Sequence, residues 1–387
     1  MNSPIHPGGT VALLSNPVYQ ALREKISGVY AAATTCGWQV YLTEERPAAA
    51  TVRKIKSMVN PIGFIIDPLL MPRPIDRERF GGTPVVLLGR DNHRATQIFD
   101  CSRQDVVQPV AAAIDVFREF GRFACFGFIG RSSREPWSVE RGAIFAERAS
   151  GAAPVFEYPG QDADGNKGNG HLVKWLRGLP KPCGLFLATD HLAPTVFGAI
   201  RRAGISVPGE MAVASVDDIK EICQNVIPPL TSVKLNYFQC GANAVELLKK
   251  RLREPDRPAE TMLYGVVSVS KRTSTRKPYT DKRVTKAVEF IDNNLASKIS
   301  SHHVVKEMGC CRRQAEQLFK QHTGLSILQA IQKSRIEKAM SLLKGDNIPI
   351  EEIPAFCGYD SAAFFKTIFR RETGLAMRTW RAQNSQK

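Results

Sequence analysis

The stretch VVKEMGCCRRQAEQLFKQHTG at residues 304–324 predicts two helices joined by a tight turn. Gly309 ends the first helix, because glycine readily takes the left-handed conformation found at helix C-termini. Cys311 begins the second helix, at a position where serine is commoner. Apolar residues at helical spacing predict the buried sides: Val304, Val305 and Met308 in the first helix, and Ala315, Leu318 and Phe319 in the second. This order of elements is typical of a helix-turn-helix unit.

The same pattern recurs 50 residues later, where IFRRETG at 368–374 resembles LFKQHTG at 318–324. The second copy has apolar positions of its own: Ile350, Ile353 and Phe356 in its first helix, and Phe365, Ile368 and Phe369 in its second. Between the copies, SRIEKAMSLLKG at 334–345 is amphipathic and predicts a long helix that holds the two units apart. The sequence therefore predicts an all-α domain with two helix-turn-helix units.

Polar or small residues on the second helix of each unit are the candidate DNA contacts. They are Arg312, Arg313, Glu316, Gln317 and Lys320 in the first unit, and Ser361, Ala362, Ala363, Lys366, Thr367 and Arg370 in the second. Arginine and glutamine can reach base edges in the major groove, and glutamate can accept from cytosine. The alanines offer only methyl contacts, so we expect more hydrogen-bonded readout from the first unit. For the arginines, a solvated helix face and phosphate contacts are the alternatives.

Positive charge is concentrated toward the C-terminal end of the chain. The net charge is +16, and residues 281–387 carry 18 Lys and Arg against 11 Asp and Glu. The stretch KRTSTRKPYT at 271–280 adds four cations and no acid. We expect residues 271–283 to form an exposed basic linker before a DNA-binding domain at 284–387. A basic C-terminal third suits a protein that binds the phosphate backbone of DNA.

Residues 1–270 alternate between strand and helix patterns. Short apolar runs predict buried strands: VALLS (11–15), GFIID (63–67), PVVLLG (84–89), FACFGFIG (123–130), GLFLAT (184–189) and MAVASV (211–216). Amphipathic stretches between them predict helices: Tyr19–Thr35, Val106–Phe120 and His191–Ala203. Buried runs separated by helices are typical of parallel sheets in α/β domains. We therefore expect two doubly wound, Rossmann-like lobes with a cleft between them.

Composition limits the other classes of protein. The chain is 43% hydrophobic and 23% charged, which is typical of globular proteins. No apolar run reaches membrane-spanning length, and the start MNSPIHPGG lacks the features of a signal peptide, so we expect a cytoplasmic protein with no membrane partner. The nine cysteines form no C-x-x-C pair. We expect reduced core or cap thiols, with neither a metal nor a cofactor.

The C-terminal third resembles the AraC/XylS family of transcription regulators over about 105 residues. Four spaced patterns carry the resemblance: G-x-x-R-R-Q-x-E-x-L-F-K-x-x-T-G at 309–324, R-I-E-K-A-x-x-L-L at 335–343, I-x-E-I-x-x-x-C-G-Y at 350–359 and F-F-K-x-x-F-R-R-E-T-G at 364–374. The chain departs from the family at Pro354, where alanine is usual, and at Met377, where proline is usual. Pro354 falls inside the predicted first helix of the second unit, where we expect it to kink that helix.

The first 270 residues resemble the LacI/GalR regulators and periplasmic sugar-binding proteins. The matching patterns are G-L-F-x-A-T-D at 184–190, G-I-x-V-P-G-E-M-A-V-A-S-V-D-D at 204–218, P-P-L-T-S-V at 228–233 and W-x-x-x-R-x-x-x-F at 137–145. The resemblance implies a two-lobed, periplasmic-binding-protein-like sensor for a small sugar. A sensor of this kind joined to an AraC-type domain resembles the regulators of xylose operons, which implies D-xylose as the effector.

The resemblance also implies candidate ligand-binding residues: Asn16, Tyr19, Asp67, Trp137, Arg141, Asp190 and Asp217. Arg141 and Asp217 match family positions that bond sugar hydroxyls, and Trp137 could stack on a sugar ring. Each candidate has a structural alternative. Asp190 could be a helix N-cap and Asp67 a turn residue, while Arg141 could lie on a helix surface and Trp137 in core or interface packing.

These expectations combine into a sugar-controlled transcription regulator, acting mainly as an activator. Its expected partners are double-stranded DNA, the sugar, a second copy of the chain in a homodimer, and RNA polymerase. An enzyme is disfavoured, because Cys125 lies within a predicted strand and no G-x-S-x-G elbow occurs. A periplasmic carrier would not need a DNA-binding domain. A sensor that binds a different ligand or a protein partner stays open.

Overall fold

The computed structural model describes residues 8–68, 77–89, 98–131, 133, 135–160, 170–277, 279–343 and 349–384 of the 387-residue chain. The chain divides into two compact units. The first is made of Met1–Ile205, Met211–Val226 and Leu230–Arg272, and the second of Ser206–Glu210, Ile227–Pro229 and Thr273–Lys387. Among the described residues, no helix is long and apolar enough to span a membrane.

The first unit contains two six-stranded sheets. One has the order β11-β5-β4-β3-β1-β2 and is parallel throughout, with strands β1 (Thr10–Leu14), β2 (Gln39–Thr43), β3 (Gly63–Ile66), β4 (Val85–Leu88), β5 (Asp100–Gln104) and β11 (Thr261–Tyr264). The other has the order β12-β10-β9-β8-β6-β7, with strands β6 (Cys125–Ile129), β7 (Val155–Glu157), β8 (Cys183–Leu187), β9 (Met211–Val216), β10 (Thr231–Leu235) and β12 (Val266–Ser270). In this second sheet, β12 runs antiparallel to β10. The prediction of a two-lobed α/β domain is confirmed.

Helices connect the parallel strands of the first unit: α1 (Gln20–Thr35), α2 (Ala49–Val59), α3 (Val107–Phe120), α4 (Pro136–Ala149), α5 (Gly170–Gly178), α6 (Ala193–Ala203), α7 (Lys220–Cys223) and α8 (Tyr237–Arg253). The central strands are apolar along their whole length because helices cover them; every residue of β3, β6 and β9 is buried. Burying each large apolar side chain contributes about 1.5–3 kcal/mol.

All nine cysteines are free thiols, and six of them are buried.

The second unit is helical. Its helices are α9 (Lys282–Asn293), α10 (Ser301–Met308), α11 (Arg312–Thr323), α12 (Ile327–Leu343), α13 (Ile353–Phe356), α14 (Ala362–Thr373) and α15 (Met377–Asn384). Two separate hydrophobic cores form, one around Phe319 and one around Phe369. The long helix α12 contributes Ile331 to the first core and Ala339 to the second. It therefore carries both helix-turn-helix units, as predicted.

Glycine ends the helices at equivalent places in the two helix-turn-helix units. Gly309 has φ 63° and Gly358 has φ 77°, both in the left-handed region. At Gly358 a β-carbon would also lie 2.5 Å from the carbonyl oxygen of Leu295, so packing excludes any side chain there. Gly324 and Gly374 end α11 and α14 in the same conformation. The glycines that identify the repeat are thus explained by backbone conformation.

The first helix of the second helix-turn-helix unit differs from the prediction. It begins only at Ile353, so Pro354 lies in its first turn, where the missing N–H costs nothing, and does not kink it. Phe356 was predicted to be buried, but it is 48% exposed. Cys357 fills the core position instead, because it lies four residues after the buried Ile353 and so on the same side of the helix. Although α13 is shorter than α10, it places the turn of the second helix-turn-helix unit at the same point as α10 does in the first helix-turn-helix unit.

The basic stretch before the helical unit is not uniformly exposed. Thr273–Thr275 form a buried 3-10 turn, which corrects the prediction of an exposed linker over 271–283. Helix α9 already begins at Lys282, and the side chain of Asp281 caps it by accepting from the N–H of Arg283 at 2.8 Å. The polar composition favoured an exposed linker here, but the threonine and serine hydroxyls allow the turn to be buried with its polar groups bonded.

Candidate functional site

Arg141 lies where the carboxyl ends of the two sheets approach each other. It projects from α4 and is 1% exposed, so a surface position is ruled out. Its guanidinium donates to the carbonyl of Ala188, after β8, and to Oε1 of Gln104, at the end of β5, at 2.9 Å. Burial lowers the pKa of Arg141, and the nearby Asp217 carboxylate opposes this effect. One cation therefore connects the two sheets at the mouth of the cleft.

Trp137 lies one turn before Arg141 on the same helix. The guanidinium carbon of Arg141 is 5.1 Å from the Trp137 ring centroid, within the range of a cation–π contact. The ring is half-buried, so part of it is open to solvent. A flat apolar surface thus adjoins a rigid hydrogen-bond donor, the combination that sugar rings require.

Asp217 follows the end of β9 and carries an unusual backbone. Its φ of 112° is rare for a residue with a side chain, and such strain concentrates at functional sites. Its two carboxylate oxygens accept from the hydroxyls of Thr189 and Tyr237, each at 2.6 Å. A carboxylate has about four acceptor positions, so two remain for a ligand. Asp217 is half-buried, which leaves that capacity accessible.

Asp190 is held by the protein itself. It is fully buried, and its oxygens accept from the N–H of Ile219 at 2.7 Å and from the hydroxyl of Ser232 at 2.8 Å. Burial, reinforced by Asp217, raises the pKa of Asp190 to about 7. It is not the helix cap either, because Thr189 accepts from His191 N–H at that position. Its carboxyl group fixes the loop after β9 beside Asp217.

The remaining predicted ligand residues follow strands of the first sheet. Asn16 uses its side-chain oxygen to accept from Val18 N–H at 3.0 Å. Tyr19 is 56% exposed, and its ring centroid lies 5.7 Å from that of His191, which follows a strand of the other sheet. Asp67 is 1% exposed, with its carboxylate 3.6 Å from the ammonium of Lys25. Asn16 and Tyr19 therefore remain at the open edge, whereas Asp67 is buried deeper.

Four polar residues that the sequence did not single out belong to the same cluster: Gln104, Thr189, Tyr237 and Tyr264. Burial raises the pKa of Tyr237 well above its usual value, so its hydroxyl remains a donor to Asp217. Gln104 ends β5, and Tyr237 comes two residues after β10. Ligands usually bind at the carboxyl ends of parallel strands, so this position could have indicated both residues. Their strands were too polar to be recognised.

The predicted DNA-contacting face of α11 is mostly open to solvent. Arg312, Arg313, Gln317 and Lys320 are exposed. Glu316 is half-buried, and its carboxylate accepts from the backbone N–H of Ile327 at 3.3 Å, at the start of α12. Three cations and one amide group are therefore available on α11, and Glu316 is partly committed to holding the next helix.

The equivalent face of α14 is also open. Ala363, Lys366, Thr367 and Arg370 are exposed, and Ala362 is half-buried. Ser361 caps the helix by accepting from Phe364 N–H at 3.2 Å. Beside α14 runs a groove of about 1060 Å³ with further cations along it: Arg371, Arg378 and Arg381. The surface is thus strongly basic, as a phosphate-backbone contact requires.

Arg335 on α12 holds the two helix-turn-helix units together. It is 8% exposed and donates to the carbonyl of Ser297, in the loop after α9, at 2.8 Å. Its guanidinium also lies 5.0 Å from the ring centroid of Tyr359, beside the turn of the second helix-turn-helix unit. Arg335 therefore ties the loop between α9 and α10 to the turn before α14.

Known proteins resemble the chain over nearly its whole length. A family model for a periplasmic binding protein-like domain matches residues 114–275, and one for a helix-turn-helix domain matches residues 304–383. The xylose operon regulatory protein of Haemophilus influenzae is 26% identical over 385 residues, covering 96% of this chain and 97% of its own. The Escherichia coli K12 protein of that name is 27% identical over 389 residues, covering 97% of each.

A solved structure of a xylose-binding transcription activator, xylR, superposes with a TM-score of 0.74 at 25% identity. It covers 97% of this chain and 98% of its own. The matches to these relatives run through both domains and cover each relative almost from end to end. The chain is a transcription regulator of the AraC/XylS type that carries a periplasmic binding protein-like sensor domain.

Proposed function

We propose that the chain is a sugar-responsive transcription activator whose effector is D-xylose. The contact cluster of Arg141, Trp137 and Asp217 at the cleft is the observation that carries the proposal. The relatives described as xylose operon regulators support the choice of sugar. We assign sensing to residues 1–270 and DNA binding to residues 284–387, with the chain acting in the cytoplasm as a homodimer that recruits RNA polymerase.

The cleft chemistry favours a neutral polyhydroxylated ligand. Asp217 offers acceptor positions to hydroxyl hydrogens, and Arg141 offers donors to hydroxyl oxygens. Two carboxyl groups lie near a single arginine, so an anionic ligand would meet repulsion. Among the candidate residues, Asn16 and Tyr19 would contact the sugar from the first sheet, while the buried Asp67 and Asp190 would act by holding neighbouring groups.

Calorimetric titration of the full-length chain tests the effector. We expect D-xylose to bind with a stoichiometry of one per chain, and L-arabinose, D-ribose and D-glucose to bind more weakly, because hydroxyl-specific bonds discriminate against wrong stereochemistry. Tight binding of one of the other sugars would keep the sensor mechanism and replace the effector. Heat from none of the four would contradict the sugar assignment and favour a different ligand or a protein partner.

The proposed base readout by the first helix-turn-helix unit is tested by Arg313→Ala. Arg313 is exposed on α11 and points away from the core that holds Ala315 and Phe319. If it reads a base, we expect a loss of about 1–3 kcal/mol at one operator position and relaxed specificity there. Binding to a set of single-base operator variants measures this effect.

A matched control is Arg201→Ala, which removes an exposed arginine from α6 of the sensor and should leave operator binding unchanged. An equal loss on all operator variants, with a shallower salt dependence, would instead identify Arg313 as a phosphate contact.

A further inference from the structure

The loop after β9 carries two consecutive aspartates that face different partners. Asp217 bonds to Thr189 and Tyr237 in the cleft. Asp218 accepts from the guanidinium of Arg272 at 2.7 Å and from the hydroxyl of Ser270 at 2.8 Å. Residue 217 therefore belongs to the effector site, whereas residue 218 is bonded to the end of β12 and the residues that follow it.

The backbone of this loop is strained at both aspartates. Their φ values are 112° and 54°, in the region that side-chain-bearing residues rarely adopt. The strain persists because hydrogen bonds fix the loop from both sides. The hydroxyl of Ser232 accepts from Asp218 N–H at 3.0 Å and donates to Asp190, and Asp190 accepts from Ile219 N–H. These hydrogen bonds tie the turn to Asp190 and Ser232.

Arg272 is fixed by its side chain and by its backbone. Its ion pair with Asp218 is largely buried, and its other terminal nitrogen donates to the carbonyl of Leu230 at 2.8 Å. Its N–H donates to the hydroxyl of Thr231 at 2.7 Å. The next residue, Thr273, is the first of the final segment of the second unit and begins the buried 3-10 turn. Arg272 is therefore the last residue of the first unit and is covalently joined to the segment that leads to the helix-turn-helix units.

We propose that the Asp217–Asp218 turn and its ion pair to Arg272 couple effector binding in the cleft to the affinity for DNA. Effector hydroxyls that bond to Asp217 change the bonds that hold the turn, and Asp218 transfers the change to Arg272. This inference rests on the proposed function of the cleft. Asp218 and Arg272 make no contribution to the ligand contacts themselves, so coupling and binding can be separated by experiment.

The test is performed on the full-length chain with Asp218→Asn and Arg272→Gln. The measured quantity is the ratio of the DNA dissociation constants without and with saturating D-xylose, on a duplex selected in vitro for tight binding. We expect a ratio of at least about tenfold for the unmodified chain and about onefold for both variants. Affinity for D-xylose and ligand-free DNA affinity should stay within about threefold. The double variant should behave like either single variant, because both break the same pair.

Lys271→Gln is the matched control. It removes the neighbouring cation, which forms an exposed pair with Glu119, and it should retain the full ratio. An unchanged ratio in Asp218→Asn and Arg272→Gln would overturn the proposal. A loss of the ratio in all three variants would overturn it too, since the effect would then follow from charge alone.

Hydrogen exchange gives a readout that needs no effector. Asp217→Asn should speed exchange of the amides of Arg272 and Thr273–Thr275, and it should cause no further change in an Asp218→Asn background, where the pair to Arg272 is already broken. Unaltered exchange in Asp217→Asn would contradict the coupling. If D-xylose fails to bind the unmodified chain, the proposed effector is wrong, and this measurement still decides whether the turn couples the two segments.

Discussion

Replacing Asp217 with alanine is expected to weaken binding of the sugar effector at least about 100-fold while ligand-free binding to DNA stays intact. The carboxylate offers two free acceptor positions in the cleft, and hydrogen bonds to a charged group contribute about 1.5–3 kcal/mol each. A loss of about 3 kcal/mol corresponds to roughly two orders of magnitude in the dissociation constant. Calorimetry of the full-length variant measures it, alongside DNA binding with and without D-xylose.

The matched control for this prediction is Asp115→Ala. Asp115 is an exposed carboxylate on α3 that pairs with the exposed Arg118 at the surface, so its removal should change neither affinity. Sugar affinity in Asp217→Ala within threefold of the unmodified chain would remove Asp217 from the ligand-binding residues. A loss of DNA binding without ligand would point instead to misfolding of the sensor.

The helical domain was predictable because its pattern is repeated. Gly309 and Gly374 satisfy a backbone requirement that few other residues meet, and apolar positions recur at 3.6-residue spacing between them. The prediction for the first helix of the second helix-turn-helix unit was wrong, because a proline in a helical pattern is compatible with two structures. Pro354 can kink a helix or start one, and only the packing of Cys357 in place of Phe356 decides that it starts one.

The sheets were predictable only where strands are apolar on both faces. The strand β5, DCSRQ, has almost no hydrophobic character, yet Asp100 and Ser102 are buried in it. The Asp100 carboxylate is bonded by a partner far away in the chain, the guanidinium of Arg251, which comes 151 residues later. Local periodicity carries no information about such partners, so Gln104 at the end of this strand was missed as well.

Among the cleft carboxylates, sequence position indicated all three but could not rank them. Asp67, Asp190 and Asp217 each follow a buried strand of a parallel sheet, where ligands usually bind. Tertiary contacts separate them. Asp190 is held by Ile219 and Ser232, and Asp67 lies against Lys25, whereas Asp217 keeps acceptor capacity at a half-buried position.

The second large effect expected is on stability, from Asp100→Ala at the start of β5. Asp100 is 1% exposed, accepts from Arg251 at 2.9 and 3.1 Å and from Glu260 N–H at 2.8 Å, and forms an ion pair with Arg257 at 2.9 Å. Removing it leaves the largely buried guanidinium of Arg251 without a carboxylate and leaves Arg257 paired only with Glu260, which costs about 3–5 kcal/mol. We expect the Tm of the sensor transition to fall by about 10 °C in differential scanning calorimetry.

Glu260→Ala is the control, because Glu260 also pairs with Arg257 but is 37% exposed and should contribute less than about 1 kcal/mol. Equal stability of the two variants would contradict the prediction. It would mean that the buried bonds of Asp100 do not hold β5 against the segment of chain from α8 to β11. The same strand ends at Gln104, the partner of Arg141 across the cleft. Asp100→Ala should therefore lower stability and effector affinity together, whereas Asp217→Ala lowers effector affinity alone, and this contrast separates a residue that supports the cleft from one that binds in it.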